Sequence, residues 1–330
     1  MKVSRTTALI TVLLTILMVA ACSTTTTGGS TTDAANPELQ VVAITTVLGD
    51  IASNIAGNDA VVKTLMPPGA DPHDFQPSSQ QVAALNDADL IIANGLGFEE
   101  GLIDVIASAE ADGVNVLEVG ALIDPLPFGV STDDCDPALA DEDSEDEGEH
   151  ESAPGSCDPH FWNDPTRAAT AANVIADAFS AIDPSIAWET RASAYSAELL
   201  TLGDEIQVLL DTIPVARRQL VTNHDALGYF AHRYGFEIVG VVIPGGSTLA
   251  EPSSAELAAL VEVMEAEDVR VIFAETIEPA ALADAVAAEI GGDVEVVELY
   301  TDSLGPEGSG AETLIEMLRL DAERIAAALG

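Results

Sequence analysis

The sequence predicts an α/β fold with two Rossmann-like lobes, each built on a parallel sheet, joined by helix and separated by a cleft. Short β-branched runs alternate with amphipathic stretches of about 10–15 residues in the first part of the chain. The same alternation recurs in the last part, and a helical stretch without strands lies between the two. Alternating strands and helices are typical of βα units, whose strands form parallel sheets.

The individual elements follow from this alternation. In the first lobe the strand-like runs cover residues 39–45, 60–66, 89–94 and 114–119. The helical stretches after the first three runs cover residues 47–56, 78–88 and 98–109. The second lobe has strand-like runs at residues 219–222, 236–243, 269–274 and 294–300. Its helical stretches cover residues 226–234, 253–267, 279–290 and 311–329, and two further helices are predicted between the lobes, at residues 165–182 and 184–213.

The two helices between the lobes share one start signal. Asp164-Pro165 and Asp183-Pro184 each place a capping acid before a proline. Proline is favoured at the first helical position, where its missing N–H has no partner to lose. The two helices are therefore predicted to begin at Pro165 and Pro184.

The composition excludes some classes of function. The formal net charge is −45, from 56 acidic and 11 basic residues. Such a field repels nucleic acid and attracts cations, so no nucleic-acid partner is expected. An acidic bias shared by a whole proteome would give the same total charge, so the charge alone does not identify a cation-binding function. Hydrophobic residues make up 48% of the chain, which is enough for a substantial core.

The first 37 residues are expected to lie outside the fold. Lys2 and Arg5 precede an apolar run, residues 8–19, which is too short for a stable membrane span and has the pattern of a secretory signal. The small residues directly before Cys22 resemble a bacterial lipoprotein signal, in which cleavage leaves the cysteine as a lipid-bearing N-terminus. Residues 1–21 are therefore predicted as the signal, and residues 22–37, rich in Ser, Thr and Gly, as a flexible tether. An ordinary secretory signal with a chance cysteine is the alternative.

The rest of the chain divides at the predicted interlobe helices. Residues 38–165 are assigned to the N-terminal lobe, which includes an acidic loop at residues 131–157. Residues 166–213 form the helical linker region, and residues 214–330 the C-terminal lobe. The protein is expected to be exported, anchored by lipid to the outer face of the cytoplasmic membrane, and monomeric.

The histidines are few and are placed in a pattern. The chain has five, and two of them end matching triplets, Asp71-Pro72-His73 and Asp158-Pro159-His160. A third, His224, directly follows a predicted strand, and Asp302 follows another. Each lobe therefore contributes two candidate ligands from the side of the strand ends, where open parallel sheets bind ligands.

These four side chains predict one metal site in the cleft between the lobes, formed by His73, His160, His224 and Asp302. Neutral imidazole nitrogens together with a carboxylate suit Zn2+ in tetrahedral geometry. In each triplet the proline fixes its own φ and keeps the preceding Asp extended, so the histidine is presented from a stiff loop. A single triplet of this kind is more often a turn with a surface histidine. Two such triplets in one chain, together with His224, favour a metal site instead.

The same regions carry a resemblance to a known family. The matching stretches read MPPGADPHDF at residues 66–75, DPHFWNDP at 158–165, TNHDALGYF at 222–230 and LYTDSLG at 299–305. Together they resemble the metal-binding lipoproteins that supply zinc or manganese to ABC importers, a solute-binding family with a rigid helix between two lobes. The resemblance spans essentially all of the mature chain. It implies that the four side chains hold the metal, that the cargo passes to a permease with its cytoplasmic ATPase, and that no reaction is catalysed.

The third ligand position separates the two metals. Manganese-binding members of the family carry Glu there, so His224 favours Zn2+, in agreement with the softness of three imidazole ligands. A bidentate Asp302 would give five bonds, so Mn2+ is kept as an alternative cargo. Two other classes of function are a zinc-dependent hydrolase, although the chain has no His-Glu-x-x-His helix, and a surface adhesin, which no residue supports independently.

The loop at residues 131–157 is acidic and contains two cysteines. It carries eleven acids and no Lys or Arg, which is typical of a solvated loop. Many zinc-binding members of the family have a histidine-rich loop here, whereas this one has only His150. Cys135 and Cys157 are expected to form a disulfide worth about 3 kcal/mol. A second zinc site from Cys135, Cys157 and His150 is the alternative.

Several residues near the predicted ligands have lesser predicted roles. Asp74, Asp158 and Asp225 flank predicted ligands and are candidates for holding the second nitrogens of the imidazoles. His232 follows His224 by eight residues and is expected to be a surface or packing residue.

Overall fold

The computed structural model describes residues 38–128, 135–137, 156–291 and 294–330. The predicted signal, the tether and the lipid-bearing Cys22 lie outside these residues, as does most of the acidic loop. Within the described ranges, no helix has both the length and the apolar character that a membrane crossing requires.

The first lobe is a four-stranded sheet with three helices. Its strands are β1 (Leu39–Ala43), β2 (Ala60–Thr64), β3 (Leu90–Ala93) and β4 (Asn115–Glu118). Its helices are α1 (Thr46–Ala56), α2 (Ser79–Asn86) and α3 (Ile103–Ala111). The strands are all parallel, in the order β2-β1-β3-β4. Their carboxyl ends therefore share one edge of the sheet, and the loops that follow them open on the same side.

Two helices follow the first lobe, α4 (Pro165–Ile182) and α5 (Trp188–Leu210). They pack along each other, and α5 contacts both α1 and the C-terminal helix of the second lobe. The 23 residues of α5 span roughly 35 Å at about 1.5 Å per residue. A single helix therefore runs beside both lobes.

The second lobe repeats the architecture of the first. Its strands are β5 (Gln219–Thr222), β6 (Glu237–Val241), β7 (Val271–Glu275) and β8 (Glu295–Leu299). Its helices are α6 (Gly228–Tyr234), α7 (Ser254–Ala266), α8 (Ala281–Ile290) and α9 (Leu314–Leu329). The strands are parallel, in the order β6-β5-β7-β8, which is the same pattern as in the first sheet.

Alternate residues of the strands face different clusters of buried side chains. In β1, Val41 and Ala43 belong to the largest cluster, whereas Val42 belongs to a smaller one. In β7, Phe273 belongs to the largest cluster and Ile272 to a third. The largest cluster also includes side chains of α4, α5 and α9, so it continues from one lobe into the other.

The predicted fold class is confirmed. Both lobes have a parallel sheet, and all eight predicted strands are present. The helix α4 begins as expected, because Pro165 is its first residue and the Asp164 carboxylate accepts a hydrogen bond from Thr166 N at 2.9 Å. Two other helix starts differ from the prediction by four residues or more.

The helix α5 begins at Trp188 instead of Pro184. Asp183 ends α4, and its carboxylate accepts hydrogen bonds from N and Oγ of Ser185 at 2.9 and 2.6 Å. The indole Nε1 of Trp188 donates to the Asp183 carbonyl at 2.9 Å. The Asp-Pro pair therefore forms a turn between the helices, because local hydrogen bonds to an aspartate compete with helix formation.

The helix α3 begins at Ile103, later than the periodicity predicts. Gly95, Leu96 and Gly97 all have positive φ, at 72°, 58° and 75°. These residues form a turn before the predicted start at Phe98, and Glu99, inside the predicted helix, has φ −91° and ψ 61°, which is not a helical conformation. The loop between β3 and α3 is therefore longer than expected, and a short 3-10 turn, Glu100–Leu102, connects it to α3.

Candidate metal site

Four loops bring the predicted ligands together. His73 lies in the loop after β2, His160 five residues before the start of α4, His224 two residues after the end of β5, and Asp302 in the loop after β8. One ligand atom from each of the four lies within 4.8 Å of all the others. The residues are buried, with exposed fractions of 2%, 0%, 0% and 1% in the same order. The structure therefore places all four predicted ligands in one buried cluster.

The two Asp-Pro-His triplets adopt the same local arrangement. The backbone N–H of His73 donates to Asp71 Oδ1 at 2.9 Å, and that of His160 donates to Asp158 Oδ1 at 2.8 Å. In both cases an aspartate side chain bonds the backbone two residues ahead, which closes an Asx turn around the proline. Each turn fixes the backbone that carries its histidine.

Each of the three imidazoles is bound by a carboxylate through Nδ1. His73 Nδ1 lies 3.1 Å from Glu100 Oε1 and His160 Nδ1 lies 2.8 Å from Asp158 Oδ1. A carboxylate that accepts the Nδ1 proton leaves the Nε2 lone pair available for a cation and orients the ring.

The third imidazole is held in the same way from the second lobe. His224 Nδ1 lies 2.6 Å from Glu275 Oε1, and both side chains are almost completely buried. All three rings are thus oriented by carboxylates, with Nε2 of each ring directed toward the centre of the cluster.

The Nε2 atoms converge on the Asp302 carboxylate. They lie 3.6 Å (His73), 3.7 Å (His160) and 3.3 Å (His224) from its nearer oxygen. The Nε2 atoms of His160 and His224 are 3.3 Å apart. Three nitrogens and a carboxylate facing a common centre are donors that could hold a divalent metal ion in tetrahedral geometry.

Unpaired polar atoms at this centre also fit a cation. Among the residues that the structure describes, His73 Nε2 and both carboxylate oxygens of Asp302 are buried without a hydrogen-bond partner. Burial of unpaired polar atoms is unfavourable unless another group satisfies them. A divalent cation would satisfy all three atoms at once.

The ionisable groups of the cluster shift one another's pKa values. Burial opposes ionisation of Asp302, but the neighbouring His224 and His160 outweigh it and hold the pKa of Asp302 well below its usual range. Burial likewise opposes protonation of His73, and the neighbouring carboxylates of Asp302 and Glu100 outweigh this and raise its pKa to about 9. The pKa of His224 is raised in the same way by Glu275 and Asp302. The cluster therefore favours positive charge beside an ionised Asp302.

Aromatic rings from the first lobe surround the cluster. Phe98 is fully buried, with its ring centroid 5.0 Å from that of His73 and 5.4 Å from that of His160. Trp162 lies against Phe98, and its indole Nε1 donates to the carbonyl of Thr301 in the second lobe at 2.7 Å. These rings exclude water from the cluster and lower its dielectric constant, which strengthens the electrostatic interactions there.

Of the three flanking acids, only Asp158 holds a second imidazole nitrogen. Asp74 is exposed. Asp225 is half-buried, and this burial together with the charge of Asp158 raises its pKa to about 6. His232 is exposed on α6 and lies outside the cluster, as expected.

Two carboxylates of the site were not identified from the sequence. Glu275 ends the apolar strand β7 and is 2% exposed. An acid at the carboxyl end of a fully buried strand is a signal that could have identified it. Glu100 has no comparable signal. Its neighbour Glu99 is also a glutamate, and the sequence does not distinguish which of the two contacts His73. Glu99 accepts backbone hydrogen bonds from Asn94 and Gly95.

Cys135 and Cys157 lie at disulfide distance. Their sulfur atoms are 2.12 Å apart, and their Cα atoms are 5.1 Å apart. Cys157 also pairs as an antiparallel bridge with Pro127. His150, the third member of the alternative zinc site, lies outside the described residues.

Comparisons with known proteins match this chain to metal-binding proteins. The family model described as zinc-uptake complex component A, periplasmic (ZnuA) matches residues 41–328. The chain is 31% identical over 293 residues to the manganese-binding lipoprotein MntA of Halalkalibacterium halodurans, covering 88% of each chain. It is 30% identical over 307 residues to the zinc-binding protein TroA of Treponema pallidum, covering 90% of each chain. The solved structure of periplasmic TroA from that organism superposes with a TM-score of 0.76 at 27% identity, over 89% of this chain and 99% of the other.

Proposed function

The chain belongs to the family of periplasmic zinc-uptake component A, and from that premise we propose that it captures Zn2+ outside the membrane and delivers it to an ABC permease. The more general function, metal binding by the solute-binding component of an ABC importer, is supported by the family match and by relatives named for metal binding. The observation that carries the zinc assignment is the convergence of three imidazole Nε2 atoms on the single buried carboxylate of Asp302.

The donor set favours zinc over manganese. Imidazole is a softer ligand than carboxylate, and Zn2+ exceeds Mn2+ in affinity for nitrogen sites. A manganese site would be expected to offer more oxygen ligands, and in this cluster the third position is His224 instead of a carboxylate. Relatives named for either metal are similar to this chain, so the donor set is the basis of the proposal.

Each residue has a part in capture. His73 and His160 bind the cation from the first lobe, and His224 and Asp302 bind it from the second. Glu100, Asp158 and Glu275 keep the Nδ1 proton of each ring and direct Nε2 inward. Asp302 supplies negative charge to the ion inside an apolar surround. Four protein donors fill a tetrahedral shell, so no position is left for the reactive water that a zinc hydrolase needs.

Relatives named as lipoproteins support a proposed location for this chain. We propose that Cys22 carries the lipid, that residues 22–37 tether the folded chain to the outer face of the cytoplasmic membrane, and that the protein acts as a monomer. The permease with its ATPase is the partner that receives the ion. Lipid labelling of the wild type and of Cys22→Ala tests the anchor, and labelling that persists in the variant contradicts it.

Competitive titration tests the metal assignment. The metal-stripped mature protein is titrated with Zn2+ and with Mn2+ at neutral pH against a chelator. One tight equivalent of zinc and much weaker manganese binding are expected. Manganese binding of comparable strength contradicts the choice of cargo, and several weak equivalents without a tight one contradict the site.

A ligand variant and a matched control accompany the titration. His224→Ala removes one of four donors and is expected to weaken zinc binding by at least about 100-fold. His232→Ala removes an exposed histidine of α6 and should leave the affinity unchanged. Near-native affinity in His224→Ala contradicts the ligand assignment.

A further inference from the structure

Phe128 reaches from the first lobe onto a glycine of the second. A Cβ atom placed on Gly246 would lie 2.1 Å from Cζ and 2.3 Å from Cε1 of the Phe128 ring. The same ring faces the His160 imidazole, with centroids 6.4 Å apart and planes inclined by 72°. One aromatic side chain therefore touches both the second lobe and a ring of the metal cluster.

The backbone of Phe128 is fixed by the segment that leads to His160. Phe128 N donates to the carbonyl of Ser156 at 3.4 Å, and Pro127 pairs as an antiparallel bridge with Cys157. The disulfide from Cys157 to Cys135 lies at the same bridge. These contacts hold the Phe128 backbone while its side chain extends toward the second lobe.

Gly246 accommodates the ring because it has no side chain. The φ angle of Gly246 is not in the positive, left-handed region, whereas that of the preceding Gly245 is 88°. An alanine at position 246 could therefore adopt the same backbone conformation, and the obstacle to it is the Phe128 ring. The glycine is needed here for close approach of the ring and not for backbone freedom.

A second contact holds the same loop of the second lobe. The Thr248 hydroxyl donates to Asp71 Oδ2 at 2.6 Å, and Asp71 belongs to the turn that presents His73. The loop at residues 245–248 is thus held by the first lobe at two points. The contact with Phe128 lies near His160, and the contact with Asp71 lies near His73.

We infer that Phe128, seated on Gly246, holds the two lobes closed over the bound cation and sets the rate at which the cation leaves. This inference rests on the proposed function. All four ligands are at most 2% exposed, so an ion leaves only when the surrounding side chains part. A contact made only in the closed arrangement raises the population of that arrangement. Phe128 is a positioning residue, because it offers no donor to the ion.

Zinc release measured by rapid mixing tests this role. The zinc-loaded mature protein, with its disulfide intact, is mixed with excess chelator and dissociation is followed in time. Phe128→Ala is expected to release zinc about tenfold faster with little change in the association rate, since interface contacts act mainly on dissociation. Gly246→Ala, which displaces the ring, is expected to act in the same direction. Phe128→Leu should be intermediate.

A double-mutant cycle distinguishes this role from a general loosening of the protein. If the ring acts through Gly246, then Gly246→Ala adds nothing in the Phe128→Ala background. Leu122→Ala truncates an apolar side chain that is 56% exposed in the same lobe and serves as the matched control with wild-type release. Wild-type release rates in both single variants, or additive effects in the double variant, overturn the inference. A wild type that binds no tight zinc equivalent instead overturns the proposed function.

Discussion

Glu275 Oε1 lies 2.6 Å from Nδ1 of His224, and the two side chains are 1% and 0% exposed. The second oxygen of Glu275 is buried and has no hydrogen-bond partner among the described residues. The carboxylate therefore has one close partner, and its charge acts mainly on the ring that it touches. Through this contact the end of β7 controls which nitrogen of His224 faces the cation.

Glu275→Gln is expected to weaken zinc binding by about 10- to 100-fold, which is the usual effect of losing a carboxylate behind a metal-binding imidazole. The amide keeps the size of the side chain but removes its charge and lowers the basicity of His224. Competitive titration measures the change. Glu295→Gln, at an exposed position at the start of β8, is the matched control. Wild-type affinity in Glu275→Gln would show that the contact has no part in binding.

Asp302→Asn is expected to reduce zinc affinity by at least about 100-fold, because a neutral amide oxygen is a weaker ligand than a carboxylate and cannot balance the charge of the ion. Its three nearest nitrogens would remain, so residual weak binding should persist. Calorimetric titration of the metal-stripped variant measures both affinity and stoichiometry. Asp104→Asn, exposed on α3, should bind as the wild type does. Unchanged affinity in Asp302→Asn would remove this residue from the ligand set.

Asp321 on α9 predicts a pH dependence of stability away from the metal site. Burial raises its pKa to about 8, against the lowering effects of the hydrogen bond from Tyr300 N and of the nearby Arg324 charge. Because the folded-state pKa lies above the unfolded one, the stabilisation is complete below about pH 4 and is lost as the pH rises through about 8.

Asp321→Asn should therefore flatten the decline in stability between pH 5 and pH 8. At the upper end the variant is expected to exceed the wild type by on the order of 2–4 kcal/mol. Thermal unfolding of the metal-free proteins at the two pH values measures the effect. Glu323→Gln, exposed on the same helix, is the control. Parallel pH profiles for Asp321→Asn and the wild type would contradict the burial argument.

The disulfide predicts a difference between oxidised and reduced protein. Cys135 and Cys157 are separated by 22 residues, so loop closure is worth about 3 kcal/mol. A Cys135→Ser/Cys157→Ser double variant should unfold at a lower temperature than the oxidised wild type, and reductant should have no further effect on it. Equal unfolding temperatures with and without reductant in the wild type would show that the bond does not contribute to stability.

Periodicity was sufficient to predict the eight strands, because β-branched runs and amphipathic helices are local patterns. The metal cluster was also predictable, since its ligands follow strands of two parallel sheets and such sheets bind ligands at the carboxyl ends of their strands. Glu275 carries the signal of an acid at the end of a buried strand, but its partner could not be predicted, because the contact with His224 joins residues 51 positions apart. The late start of α3 depends on the non-helical backbone of Glu99 and the 3-10 turn after it, which helical periodicity does not reveal.

The largest cluster of buried side chains passes from the first sheet through α4 and α5 to the second sheet and α9. Cutting the chain between the lobes would leave a broad apolar face of each half in water. Neither half is then expected to be an autonomous folding unit, and the whole assembly should melt in one cooperative transition. Calorimetry of the metal-free protein should accordingly show a single peak, although the chain repeats one architecture twice.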